Sequence, residues 1–175
     1  MPDGIKYNID EIIEDGEPIA PKKNADKFIR QCGVIVRDQI PITVQEWNKP
    51  KEARGVSFVD ERSKNLLWDT LMSHFTLSEG FTDLQWEKVK KCALKKMATQ
   101  FQTWKKRLWA NYVNAGKKNP EFTGPIEKVK DHWDLFVEFK ESKAANERSR
   151  KNKINAEKKT VSPCSGARWL QDWVA

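Results

Sequence analysis

The stretch Asp83–Val113, DLQWEKVKKCALKKMATQFQTWKKRLWANYV, decides the fold. It contains no Gly or Pro. Trp86, Val89, Ala93, Met97, Phe101, Trp104, Leu108 and Tyr112 recur along it at steps of three and four. Such steps keep side chains on one stripe of a 3.6-residue helix, so a long helix over about 83–114 is expected. Trp86 and Trp104 are eighteen residues apart, or about five turns, and leave the same face. The opposite face collects Lys88, Lys91, Lys95 and Lys106, with Thr99 and Gln102 between them. One side calls for a core and the other presents positive charge. Lys90 falls beside the apolar stripe, where its ammonium has to snorkel outward.

Working outward, two more stretches carry helical periodicity. In DERSKNLLWDTLMSHF, residues 60–75, Leu67, Leu71 and Phe75 step by four with Trp68 and Met72 on the flank, and Asp60 stands at an N-cap position. This predicts a helix over about 61–75. Ser78-Glu79-Gly80 ends it, and Asp83 is placed to cap the long helix. That helix stops before Gly116, and residues 119–125 read as a loop. Pro125 suits a first helical position, and Ile126, Val129, Trp133, Phe136, Val137 and Lys140 trace the inner face of a third helix over about 125–145.

The first sixty residues give weaker signals. Phe28, Ile29, Cys32, Ile35 and Val36 fit a short N-terminal helix, although Val34-Ile35-Val36 also suits a strand. Pro41 biases the chain before it away from helix, which ends the element by about Gln39. Thr43 is placed to cap a single turn carrying Val44 and Trp47, and residues 48–60 read as a loop. Residues 1–24 are acidic, hold two Gly and three Pro, and predict a disordered arm. At the other end, periodicity fades after Phe139 into a basic tail over 146–175, where Trp169 and Trp173, four apart, suggest a docked terminal turn. The expected fold class is all-α, with three main helices, one short helix and disordered ends, the helical domain covering 25–145.

Charge is unevenly placed. Residues 1–60 hold nine Lys/Arg against eleven Asp/Glu, residues 83–118 ten against two, and residues 140–159 eight against three. A net charge of +7 concentrated in the second half suits an anionic partner, DNA above all. Cys32, Cys92 and Cys164 form no CxxC or pairing framework, and an odd count points to a reducing compartment. His74 and His132 are too isolated for a zinc site of ordinary spacing. No opening signal peptide and no apolar run near the ~20 residues of a membrane span are seen, so an intracellular soluble protein is expected.

Four phrases, in this order, carry a resemblance: CGVIVRDQIPITVQEWNKPK (Cys32–Lys51), SKNLLWDTLMSHFTL (Ser63–Leu77), VKKCALKKMATQFQTWKKRLW (Val89–Trp109) and HWDLFVEFKESKAANERSRKNKINAEKK (His132–Lys159). Together, over about residues 28–159, they resemble the plant transposase domain of the Ptta/En/Spm (CACTA) type. The resemblance implies a nuclear, mostly helical protein encoded in transposable elements or genes descended from them. It implies association with a transposon and not strand transfer itself. The family's usual ending is a Ser…Asn-Lys…Asn…Lys-Lys run, then a His and Gly-rich residues. Ser149, Asn152, Lys153, Asn155, Lys158 and Lys159 match the run, whereas Ser162–Gly166 stands where the His belongs.

Catalysis is not expected. Metal-dependent strand transfer needs three carboxylates converging on two cations, and no run of buried strands builds such a site. Asp69, Glu87, Asp131, Asp134 and Glu138 fall at outward or capping positions, and Asp131 and Asp134 around His132 suit the charge preference of a helix start. No P-loop, Gly-rich phosphate cradle or Ser/His/Asp order occurs, and no cofactor is implied. The expected function is DNA binding without catalysis: Lys88, Lys91, Lys95 and Lys106 would track phosphates, and Arg148, Arg150, Lys151 and Lys153 would extend the contact as a flexible arm. Trp68, Trp86 and Trp104, spaced by eighteen, follow a rhythm similar to Myb-like repeats, but Asp83–Val113 lacks the break between helices that such a unit requires. The alternative is a protein-interaction module that pairs with a second copy or a partner transposon protein. An uncovered Leu108 or Trp109 would favour that alternative, and a closed core with a contiguous lysine face would favour nucleic acid.

Overall fold

A computed structural model describes residues 4–52, 55–117 and 119–158 of the chain. The elements run β1 (Tyr7–Ile9), β2 (Glu11–Ile12), β3 (Pro18–Ala20), α1 (Lys22–Gln39), α2 (Glu61–Met72), β4 (Phe75–Leu77), α3 (Asp83–Leu108), α4 (Trp133–Glu141) and α5 (Lys143–Lys158). A π-helical turn, Trp109–Val113, extends α3, and a 3-10 segment, Gly124–His132, leads into α4. Contacts divide the chain between Val137 and Glu138.

The all-α expectation is overturned, because helices dominate but two small sheets accompany them. β1 pairs with β4 in parallel, with Tyr7 opposite Phe75, Asn8 opposite Thr76 and Ile9 opposite Leu77. β2 and β3 form an antiparallel hairpin. The reading of residues 1–24 as a disordered arm fails with it. Ile9 is fully buried, and Phe75 meets both Tyr7 (ring centroids 5.8 Å) and Phe28 (5.1 Å, edge-on). Burying Ile9 and half-burying Tyr7 offsets the ordering of a short acidic segment that has little other apolar surface to hide.

The main core lies where α1 and α2 pack on α3. Phe28, Cys32 and Val36 of α1 meet Leu67 and Leu71 of α2 and Val89, Ala93, Met97 and Phe101 of α3. Gly33 leaves room for the Gln100 side chain of α3, whose Oε1 would lie 1.9 Å from a Cβ at that position. Gln100 Nε2 uses that proximity to donate to the Ile29 carbonyl at 2.9 Å. α1 resolves the helix-or-strand ambiguity at Val34–Val36 as helix and ends at Gln39. Asp60 caps α2 by accepting from the Ser63 N–H at 2.7 Å.

Other boundaries moved. α2 ends at Met72, and the Phe75 expected on its last turn begins β4 instead. The cap of α3 is Thr82 and not Asp83, in a reciprocal box in which Thr82 Oγ1 accepts from the Gln85 N–H and Gln85 Oε1 accepts from the Thr82 N–H. The continuous helix expected over 125–145 is divided among the 3-10 segment, α4 and α5. No helical turn forms at Thr43; Val44 N–H closes a turn onto the Pro41 carbonyl at 3.0 Å. A second apolar cluster gathers Ile42, Leu108, Val113, Val129, Trp133 and Phe136. Trp133 stands at its centre, with Tyr112, Phe122 and Phe136 rings all within 6 Å. Trp104 packs on both clusters, whereas Trp86 is left more than one third exposed. The terminal turn expected at Trp169 and Trp173 lies outside the described residues, as do Lys159 and Ser162–Gly166.

Candidate nucleic-acid interface

The candidate surface is the outer stripe of α3. Because Val89, Ala93, Met97, Phe101 and Leu108 face the core, the residues offset from them by half a turn face outward. Lys91, Lys95 and Lys106 are exposed and Lys88 is half-buried, with exposed Thr99 and Gln102 completing the row. At 1.5 Å per residue, the eighteen steps from Lys88 to Lys106 extend about 27 Å. Among the described residues none of these four lysines forms an ion pair.

A neighbour absent from the sequence reading borders the first half of this stripe. The turn between β2 and β3, Glu14-Asp15-Gly16-Glu17, reverses with Gly16 N–H bonded to the Ile13 carbonyl and Gly16 at φ +87°. Gly16 is buried against α3: a Cβ there would lie 2.3 Å from the carbonyl carbon and oxygen of Lys88. Glu17 Oε2 accepts from Lys96 Nζ at 2.8 Å, and that hydrogen bond raises the Lys96 ammonium above the ordinary lysine value. Between turn and helix runs a groove of about 560 Å³, lined by Glu14, Asp15 and Glu17 on one side and Lys88, Lys91, Lys95 and Lys96 on the other. Cys92, Thr99 and Gln100 complete it. Four ammonium groups thus face three carboxylates, and the net charge is a single positive unit. Lys106, eleven residues beyond Lys95, is not part of this groove.

Two lysines of α3 have other tasks. Lys90 donates to Asn65 Oδ1 of α2 at 2.9 Å, which meets the expectation of a snorkelling side chain. Lys105 is buried, with its Nζ 2.7 Å from the Val44 carbonyl oxygen and 4.7 Å from the Phe101 ring centroid. The sequence reading missed both Lys105 and the acidic turn. The turn did carry a signal: Asp15-Gly16 between Ile12-Ile13 and Ile19 is a hairpin pattern.

Arg148, Arg150, Lys151 and Lys153 all lie exposed on α5, so the described part of the basic tail is a helix and not the flexible arm expected. At 100° per residue they are distributed around the helix and form no single stripe. α5 buries no side chain among those described, and its Glu147–Lys151 spacing of four supports an exposed helix. Asp131, His132 and Asp134 do not converge: among the described residues no group of three His, Cys, Asp or Glu side chains could hold a metal ion. No helix of those described is long and apolar enough to cross a membrane. The chain matches no family model, no curated protein and no solved structure.

Proposed function

We propose that this chain is a non-catalytic DNA-binding module that holds phosphates through the outer stripe of α3. The observation that carries the reading is the alignment of Lys88, Lys91, Lys95 and Lys106 along about 27 Å of one rigid helix, with no ion pair on any of them among the described residues. Lysines on a phosphate track release counterions, and they position a protein without selecting bases. The exposed Arg148, Arg150, Lys151 and Lys153 of α5 add contacts of the same kind. The patch whose exposure would favour a protein interface is partly covered, since Leu108 is buried and Trp109 is half-buried against the second cluster. The four phrases similar to the plant Ptta/En/Spm transposase domain support a transposon-derived role in the nucleus.

The test is fluorescence anisotropy with a labelled DNA that carries both a duplex and a single-stranded overhang, across about 50 to 300 mM salt. Wild type should bind saturably with a steep salt dependence, and Lys88→Ala/Lys91→Ala/Lys95→Ala/Lys106→Ala should bind more weakly with a shallower slope. Absence of binding at low salt would sink the reading.

One observation favours a second reading, a homo-oligomer or a protein partner. Leu84 and Trp86, at the first turn of α3, are 67% and 37% exposed. A Leu84→Ser/Trp86→Ser variant with a lower mass in light scattering than wild type would support it.

A further inference from the structure

Opposite charges face each other across the groove beside α3, yet most of them stay apart. Glu17 pairs with Lys96, while Glu14, Asp15, Lys88, Lys91 and Lys95 form no ion pair among the described residues. The carboxylate side is fixed in place. Gly16 is seated on the α3 backbone, and the hairpin behind it is closed by Ile13 N–H on the Glu17 carbonyl at 3.0 Å. The acidic turn is therefore a wall of the lysine stripe and not a loose segment lying over it.

We propose that this wall makes the lysine stripe selective for single-stranded over duplex nucleic acid. The inference rests on the DNA-binding reading of the same site. A duplex is straight over the ~27 Å of the stripe, because its persistence length is about 50 nm. Phosphates of a duplex laid along Lys88–Lys95 pass beside Glu14, Asp15 and Glu17, which line the same groove. Repulsion from Glu14 and Asp15, both exposed and without an ion pair among the described residues, lowers duplex affinity in screened solution by roughly threefold each, or about tenfold together, while half-buried Glu17, paired with Lys96, adds little. A single strand is narrow and flexible. It enters a groove of about 560 Å³, turns its phosphates onto Lys88, Lys91 and Lys95, and leaves its bases toward the opposite wall. There Glu14 and Asp15 accept from base amino groups, the pairing that acidic side chains make with cytosine N4. The wall that repels a duplex thus contributes contacts to a strand whose bases are unpaired.

The experiment compares a labelled mixed-sequence single strand with its own duplex at about 50 mM salt. Three proteins are used: wild type, Glu14→Gln/Asp15→Asn/Glu17→Gln, and a control, Glu121→Gln/Glu127→Gln/Asp131→Asn, with the same gain in net charge placed elsewhere. Wild type and the control should bind the single strand about tenfold more tightly than the duplex. The turn variant should gain duplex affinity until the two differ by about twofold or less. Thermal melting by circular dichroism checks that each protein folds. If the turn variant does not, Glu14→Gln/Asp15→Asn, which retains the Glu17–Lys96 pair, takes its place. Equal wild-type affinity for both forms overturns the proposal, as does an equal response of turn variant and control. In either case binding that is lost on replacing the four lysines leaves the DNA reading standing. No binding of either form by any protein removes both.

Discussion

The ammonium nitrogen of Lys105 lies 2.7 Å from the main-chain carbonyl oxygen of Val44, inside a surface that leaves the lysine only 3% exposed. The Gln45 carbonyl is a second, longer acceptor at 3.4 Å. α3 thereby holds the irregular chain after α1 through a charged side chain and not an apolar one. Lys105→Met keeps the stem but leaves the half-buried Val44 and Gln45 carbonyls without this donor. It should lower stability by about 1–3 kcal/mol. A urea midpoint equal to that of wild type would show that the bond contributes nothing.

Gly16→Ala should destabilise the chain by more than about 2 kcal/mol, from a strained backbone and overpacking together. Its φ of +87° disfavours any L side chain, and the new methyl would collide with the Lys88 carbonyl. Hydrogen exchange should show β2 and β3 opening first. Unchanged protection at Gly16 and Ile13 would mean that the turn does not sit on α3.

The Asp60 carboxyl is held below the ordinary carboxylate value, chiefly by the Ser63 N–H it caps. A lowered folded-state value makes its contribution complete above the unfolded carboxyl range. The contribution is lost as pH falls through the folded value. The melting-temperature gap between wild type and Asp60→Ala should therefore be present at neutral pH and narrow in acid below about pH 4. A gap that persists at pH 2 would assign the effect to something other than the cap.

Burial pushes the Cys32 thiol up to about 12, with the neighbouring Cys92 as a lesser cause. A raised folded value leaves stability untouched below the ordinary thiol range. As pH rises from about 9 toward 12 the unfolded chain releases a proton that the folded chain retains. Stability then falls by up to ~1.4 kcal/mol per pH unit. Lys96, also raised, adds a loss of the same sign as pH passes the lysine range. Cys32→Ala should flatten the decline in urea midpoint between pH 8 and 10. An equally steep decline in the variant would clear Cys32 of the effect.

What could be read without a structure was what the chain writes locally. The α3 stripe, the Gln39 end of α1 and the Asp60 cap each depend on residues within a few positions of one another. The β1–β4 pair does not. Each strand has three residues, too few for periodicity to stand out, and each is chosen by a partner 68 positions away. The lysine stripe was visible for the same local reason. Its acidic neighbour was hidden because Glu17 meets Lys96 only after hairpin and helix have packed. Lys105 shows the limit most plainly: its spacing looks like any basic residue of α3, and its acceptors Val44 and Gln45 are 61 and 60 residues earlier.

The pairing of β1 with β4 also sets a schedule. A chain made from its N-terminus completes Tyr7–Ile9 first, yet Phe75–Leu77 must be synthesised before the strand has a neighbour. At roughly 5–20 residues per second the wait is on the order of several seconds. Throughout it Ile9, sealed in the finished protein, is without its partner strand. The N-terminal segment is thus the first part of the sheet to be born and the part that has to wait for its neighbour.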